Sequence, residues 1–140
     1  MTVVDTNVLS ELMRPKPSEA VVSWLRINAH SIAIPTVAIG ELRYGVARLP
    51  EGKRKQSLAH ALDALVHRFA ASLLSYDVLA ADACGDILAT AEAAGRPMSL
   101  ADAQIAATAR VARAKLATRN VDDFTTTRLK IVNPWESVDV

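Results

Sequence analysis

The chain of 140 residues has one cysteine, five glycines, six prolines and few aromatic side chains (4%). The lone cysteine, Cys84, cannot form an intramolecular disulfide, which is typical of a protein in a reducing compartment. No apolar run approaches the roughly 18 residues that a membrane span requires. The first residues also lack the basic start and apolar core of a signal peptide. We therefore expect a cytoplasmic protein without a membrane segment.

The chain also lacks an excess of charge of one sign, because its 16 Lys and Arg side chains nearly balance its 15 Asp and Glu side chains, for a net charge of +1. No overall field therefore points to a nucleic-acid partner. There is no repeat, low-complexity tract or long linker, so residues 1–140 are predicted to form a single domain. At this size roughly 68–70% of the unfolded chain's surface is buried on folding, so stability requires no structural metal. Any metal is then expected to be functional.

Short apolar segments alternate with amphipathic segments along the whole chain. The predicted strands are 3–4, 32–34, 73–75, 115–118 and 130–132. The predicted helices are 7–13, 18–28, 37–48, 53–68, 77–94 and 99–114, with Ser18 as the N-cap of the second and Thr36 as the N-cap of the third. Alternation of this kind is typical of a central parallel sheet covered on both faces. We expect a three-layer α/β/α fold with four to five short parallel strands.

Asp5 stands where the first strand gives way to a helix. In open α/β sheets the carboxyl ends of the strands are where ligands bind. The segment Asp5-Thr6-Asn7 is also a capping sequence, so helix capping is the alternative role for this acid. A haloacid-dehalogenase-like hydrolase is disfavoured, because Asn7 stands where that class has a second acid.

Two more acids occur in apolar settings. Glu41 shares its predicted helix face with Val37, Ala38 and Tyr44, so a buried carboxylate is expected, and such a charge needs a cation partner. A metal or a distant arginine are the candidates, and the metal is favoured. Asp102 follows Ser99 at the spacing of a capping box. Capping alone could explain Asp102, although a ligand role is compatible with it.

A fourth candidate region follows the predicted strand at 115–118. Asn120 and Asp123 could supply further oxygen ligands, whereas Asp122 is expected to be solvated or to cap a short turn. Oxygen-only ligands favour Mg²⁺ or Mn²⁺. Zinc is not expected, because the three histidines lack ligand spacing and there is one cysteine.

In this order, the motifs resemble those of the PIN-domain ribonucleases, especially the VapC toxins of type II toxin–antitoxin pairs and their FitB-like branch. The motifs are VDTN at 4–7, IGELRYG at 39–45, LADAQIAA at 100–107, and TRN at 118–120 followed by DF at 123–124. The resemblance extends over essentially the whole chain. It implies that Asp5, Glu41 and Asp102 bind the metal.

The resemblance further implies Mg²⁺-dependent hydrolysis of RNA, with Mn²⁺ as a substitute, that inhibits translation and growth. Many relatives carry a fourth acid where Asn120 stands here. Whether Asn120 or Asp123 fills that position is open, and so is the number of metal ions bound, one or two. The catalytic candidates are therefore Asp5, Glu41, Asp102 and Asp123. The auxiliary candidates, which would orient phosphate or ligands, are Thr6, Asn7, Ser99, Thr118 and Asn120.

The implied partners are an RNA substrate, a second copy of the chain and a cognate antitoxin whose C-terminal segment covers the site. Toxin and antitoxin would form a heterotetramer or larger assembly that contacts operator DNA only through the antitoxin. Two groups of basic residues, at 43–55 and 110–119, are candidates for guiding RNA. A non-catalytic PIN-like module that binds RNA or protein is the alternative, and Asn120 is the feature that favours it.

Overall fold

A computed structural model describes residues 1–136. The strands are β1 (Thr2–Val4), β2 (Ile32–Pro35), β3 (Leu73–Leu74), β4 (Lys115–Ala117) and β5 (Ile131–Val132). The α-helices are α1 (Thr6–Leu12), α2 (Glu19–Asn28), α3 (Thr36–Ala47), α4 (Lys53–Arg68), α5 (Val78–Ala93) and α6 (Leu100–Val111). Short 3₁₀ helices span Ala29–Ser31, Ala70–Ser72 and Val121–Thr127. The predicted α/β/α fold with a parallel sheet is confirmed, and every predicted end of a strand or α-helix lies within three residues of the observed one.

The strand order β3-β2-β1-β4-β5 determines where a site can form. The chain lays β2 and β3 on one side of β1 and then returns to place β4 on the other side, with every pair parallel. The order in which strands are added to the sheet thus reverses between β1 and β4, and this switch opens a crevice at their carboxyl ends. Val4 pairs with Ala117 at that edge, so the residues that follow, Asp5 and Thr118, emerge side by side.

The core is made by the sheet and by the helices that cover it. In β1 and β4 the residues Val3, Val4, Leu116 and Ala117 are almost fully buried, as expected for central strands of a parallel sheet. α6 buries a nearly continuous run of small and branched side chains from Ala103 to Ala109. Small side chains let α6 lie close to the sheet and to α5. Among residues 1–136, no helix is long and apolar enough to cross a membrane.

The helix caps follow the sequence at most positions. Ser18 Oγ accepts a hydrogen bond from the backbone N of Val21, as predicted. The prediction that Thr36 caps the third helix is wrong. Pro35 holds the cap position without a side-chain bond, and Thr36 Oγ1 instead accepts from the backbone N of Tyr76 at 3.3 Å. Because the helix starts at Thr36 itself, its hydroxyl is free to bind the loop after β3.

Glu11 is a buried acid that the sequence did not single out. Its exposed fraction is 7%. Its Oε2 accepts from the backbone N of Ser18 at 2.9 Å, and its Oε1 accepts from Arg14 at 3.3 Å. Both oxygens of its carboxylate therefore have partners, and the carboxylate holds the proline-containing turn between α1 and α2.

Candidate functional site

Asp5 is the most buried acid at the carboxyl edge of the sheet, with an exposed fraction of 3%. Its Oδ1 accepts from the backbone N of Thr6 at 2.7 Å, so Asp5 does cap α1. Its Oδ2 accepts from Asn7 Nδ2 at 2.9 Å and from Thr118 Oγ1 at 2.7 Å. A carboxylate has about four lone-pair positions. Three are taken here, so Asp5 is held in one orientation with room for one further partner.

Thr118 and Asn7 join the loops that follow β1 and β4. The Thr118 side chain is fully buried, and its hydroxyl donates to Asp5 while accepting from the backbone N of Asn120 at 3.0 Å. Asn7 Oδ1 accepts from the backbone N of Arg119 at 3.3 Å. Both residues therefore have a clear positioning role around the Asp5 carboxylate.

Glu41 lies on the exposed side of α3, so the prediction that it is buried is wrong. Its same-face neighbour Tyr44 is itself 66% exposed, and α3 packs on the core through Ala38 instead. No buried cation is therefore needed to offset its charge. Glu41 Oε1 accepts from Thr6 Oγ1 at 2.6 Å, which fixes the carboxylate beside the start of α1.

Asp102 enters the same region from the first turn of α6. Ser99 Oγ accepts from the backbone N of Asp102 at 3.1 Å, which confirms the predicted cap. The pKa of Asp102 is raised from 3.8 to about 6. Burial is the largest cause, followed by the charge of Asp5 and then by those of Asp123 and Glu41, while a hydrogen bond with Ser99 opposes the shift.

The pKa of Asp5 is also raised, again mainly by burial, with a contribution from the charge of Glu41. Its hydrogen bonds with Thr118, Thr6 and Asn7 act in the opposite direction. The fold thus brings three acids that are far apart in sequence into one electrostatically coupled group. We call Asp5, Glu41 and Asp102 the acidic cluster.

Asp123 and Asn120 lie at the rim of the acidic cluster. Both are exposed, and the backbone N of Asp123 donates to the carbonyl oxygen of Asn120 at 3.0 Å. Asp123 and Asp102 line a common cavity of about 400 Å³. Asn120 lines a separate cavity of about 520 Å³, which shares Asp122 and Asp123 with the first. Asp123 is therefore the residue of this segment whose charge acts on Asp102.

The acidic cluster has the donor chemistry of a hard divalent cation, because every donor is a carboxylate oxygen and the like charges raise one another's proton affinity. Within residues 1–136, however, no three His, Cys, Asp or Glu side chains meet as a ready metal-binding group. Asp5 is fixed by its hydrogen bonds, whereas Glu41 is exposed and Asp102 is half-buried.

Several of the predicted RNA-guiding basic residues are engaged on the surface. Arg43 pairs with Asp63 on α4, and Lys55 pairs with Glu51. The guanidinium of Arg119, next to Thr118, lies over a ring of Trp135 at 5.1 Å from the centroid.

A family model described as the PIN domain matches residues 2–128. The chain belongs to the PIN-domain family. Three relatives match the sequence of this PIN domain over nearly their full length. The chain is 38% identical to the plasmid stability protein StbB of Pseudomonas syringae pv. tomato, over 98% of this chain and 100% of that protein. It is 35% identical to a VapC ribonuclease of Sinorhizobium fredii, over 97% and 99% respectively, and 36% identical to toxin FitB of Neisseria gonorrhoeae, over 96% and 99%.

Solved structures agree with this PIN-domain assignment. The structure of FitAB bound to a DNA fragment contains a chain that matches with a TM-score of 0.90 at 33% identity, covering 99% of both chains. The crystal structure of FitAcB from Neisseria gonorrhoeae gives 0.89 at 35% identity, covering 98% of this chain and 100% of that one. The resemblance to the VapC and FitB toxins drawn from the sequence is confirmed.

Proposed function

We propose that this PIN domain is the toxin of a type II toxin–antitoxin pair and a Mg²⁺-dependent ribonuclease that cleaves RNA and so inhibits translation and growth. The observation that carries the proposal is the acidic cluster at the switch point of the sheet, where burial and mutual repulsion raise the pKa values of Asp5 and Asp102. Full-length similarity to proteins named VapC ribonuclease and toxin FitB supports the same activity.

The acidic cluster is the place where a cation would be held. Asp5 offers one free lone-pair position, and Asp102 and the exposed Glu41 would supply the remaining carboxylate oxygens. When bound, Mg²⁺ or Mn²⁺ would supply positive charge that polarises the scissile phosphate. We assign the fourth acidic position to Asp123 rather than to Asn120, because the charge of Asp123 acts on Asp102.

The remaining groups orient the acids and handle the proton. Glu41 Oε1 is held by Thr6, which would leave Oε2 either to hold the cation or to accept a proton from the attacking water. Asn7 and Thr118 keep Asp5 in one orientation, as neighbours of a ligand do in metal sites. Ser99 holds the backbone of Asp102 at the start of α6. Thr6, Asn7, Thr118 and Ser99 thus act through the acid that each contacts, whereas Asn120 is bonded to Thr118.

The proposed partners follow from the relatives. FitAB and FitAcB are the complexes in which the similar solved chains occur. We propose that this chain likewise binds an antitoxin that covers the acidic cluster, forms a homodimer and a heterotetramer or larger assembly with it, and reaches operator DNA only through it. The site of action would be the cytoplasm.

The first experiment is cleavage of total bacterial RNA by antitoxin-free protein in Mg²⁺ or Mn²⁺ against EDTA. Wild type is compared with Asp5→Asn and Asp102→Asn, and with Asp82→Asn, which removes an exposed charge on α5. Circular dichroism checks that each variant is folded. Discrete fragments are expected from wild type and Asp82→Asn, and none in EDTA or from the two site variants.

Two results would contradict the proposal. Undiminished cleavage by folded Asp5→Asn would show that the acidic cluster is not the site. Inactivity of folded, metal-supplemented wild type would favour the non-catalytic binding module.

A further inference from the structure

The proposed ribonuclease must hold a polyanion beside four carboxylates, those of the acidic cluster and of Asp123. The proposed metal ion would offset part of this charge, and a basic side chain beside the acids would add a phosphate contact of its own. Arg96, in the loop between α5 and α6, is such a side chain.

The backbone conformation at Arg96 follows from the local sequence. Gly95 has a φ of +72°, a conformation that favours glycine. The backbone N of Gly95 donates to the carbonyl of Glu92 at 3.0 Å, and that of Arg96 donates to the carbonyl of Ala91 at 2.9 Å. These two bonds form a Schellman motif, which ends α5, and Pro97 then restricts the chain further.

The guanidinium of Arg96 is anchored without being neutralised. Its Nη2 donates to the carbonyl oxygen of Asp122 at 3.0 Å. The ion pairs found within residues 1–136 do not include Arg96. A guanidinium has five N–H donors in a planar fork that suits phosphate. One anchoring bond therefore leaves most of its donors, and its full charge, available in an exposed side chain.

Arg96 faces the same cavity as two of the acids. The residues that line this cavity of about 400 Å³ include Asp102, Asp122 and Asp123, Arg96, and the hydroxyl residues Ser99, Thr125 and Thr126. Among its lining residues, all within the described part of the chain, Arg96 is the basic one. A volume of several hundred Å³ is the usual size of a small-molecule pocket.

We propose that Arg96 binds a backbone phosphate of single-stranded RNA adjacent to the scissile phosphate, with the intervening nucleotide in this cavity. This inference rests on the proposed ribonuclease function and adds to it a substrate-binding residue. Arg119 is the weaker candidate, since its guanidinium is stacked over Trp135 and the cavity that it lines does not include Asp102.

The test separates the charge of Arg96 from its structural bond to Asp122. Arg96→Gln removes the charge and, because its amide is shorter than the guanidinium, also the bond of Nη2 to the Asp122 carbonyl, whereas Arg96→Lys keeps the charge. Arg26→Gln is the matched control, because Arg26 is exposed in the last turn of α2, which leads to the amino end of β2. All are made in the Asp5→Asn background, so that a labelled single-stranded oligoribonucleotide stays intact.

Fluorescence anisotropy gives the Kd over a range of salt concentrations. Arg96→Gln is expected to weaken binding roughly tenfold and to reduce the slope of log K against log salt by about 0.7, the contribution of one phosphate contact in a single strand. Arg96→Lys should retain the slope, and Arg26→Gln should match the parent. In the active background, Arg96→Gln should raise KM more than it lowers kcat.

Parental affinity and salt slope in Arg96→Gln would overturn the inference, because the arginine would then serve only to hold the Asp122 carbonyl. If wild type cleaves RNA and Arg96→Gln does so with the same KM, the inference fails and the ribonuclease proposal stands. If folded wild type neither cleaves nor binds RNA, both fail.

Discussion

Replacing Asp102 with asparagine is expected to stabilise the metal-free protein while it abolishes RNA cleavage. The pKa of Asp102, raised from 3.8 to about 6, corresponds to about 3 kcal/mol against the ionised form, since a tenfold change in proton affinity is worth about 1.4 kcal/mol. Asp102 is half-buried, so solvent screening reduces this figure. We expect Asp102→Asn to raise the free energy of unfolding by about 1 kcal/mol at pH 7.5, or Tm by about 4 °C.

The stability gained by Asp102→Asn should decrease as the pH is lowered. Because the native pKa of Asp102 is higher than the unfolded one, the native state binds more protons between pH 3.8 and about 6. Wild-type stability therefore falls as pH rises through this window, and the penalty is complete above it. Asparagine carries no charge at any pH, so the advantage of Asp102→Asn should be present at pH 7.5 and vanish near the lower end of the window.

The assay is urea unfolding followed by circular dichroism, in EDTA, at equal protein concentrations, at pH 7.5 and at the lower end of this pH window. Asp82→Asn controls for the loss of one exposed negative charge. The reasoning is refuted if Asp102→Asn is no more stable than wild type at pH 7.5, or if its advantage is the same at low pH. Either result would mean that burial and the neighbouring carboxylates do not disfavour the ionised form of Asp102.

Three further predictions concern single contacts. Thr118→Val removes the buried 2.7 Å hydrogen bond to Asp5 and should lower the free energy of unfolding by about 1.5–3 kcal/mol; urea unfolding measures this, and an unchanged midpoint would contradict it. Thr6→Val removes the exposed bond to Glu41, so stability should change by less than about 1 kcal/mol while cleavage slows roughly 10–100-fold; a wild-type initial rate would show that Glu41 needs no such orientation. Gly95→Ala should cost about 1–2 kcal/mol from the positive φ alone, because its new Cβ meets no atom within 4 Å; a thermal melt identical to wild type would disprove this.

Much of the fold could be predicted because its elements are local patterns. Apolar runs too short for helices, separated by amphipathic segments, indicate strands with helical connections, and this alternation implies a parallel sheet. The helix caps at Ser18 and Ser99 could also be predicted, since such a cap needs only a side-chain oxygen and the backbone amide three residues later. The cap at Thr36 was not, because the choice between Pro35 and Thr36 depended on the strand pairing of Pro35 with Leu74.

The candidate site divides in the same way. Asp5, Glu41 and Asp102 stood out because each interrupts an apolar pattern, and the fold does bring them together. The exposure of Glu41 could not be predicted, because helical spacing gives a shared face but not which face meets the core. Arg96 was missed because its local sequence indicates a helix end and nothing in that pattern reports its contact with Asp122, 26 residues later.

The sequence by itself determined the alternating elements and the family, and it singled out Asp5, Glu41 and Asp102 as candidates, since periodicity and motif spacing are properties of neighbouring residues. The tertiary structure alone decided the strand order, and with it the crevice between β1 and β4 where Asp5 meets Thr118. It also decided the burial of each carboxylate, which is the main cause of the raised pKa values of Asp5 and Asp102. Burial and charge coupling depend on distances between residues far apart in the chain, and only the packed fold sets those distances.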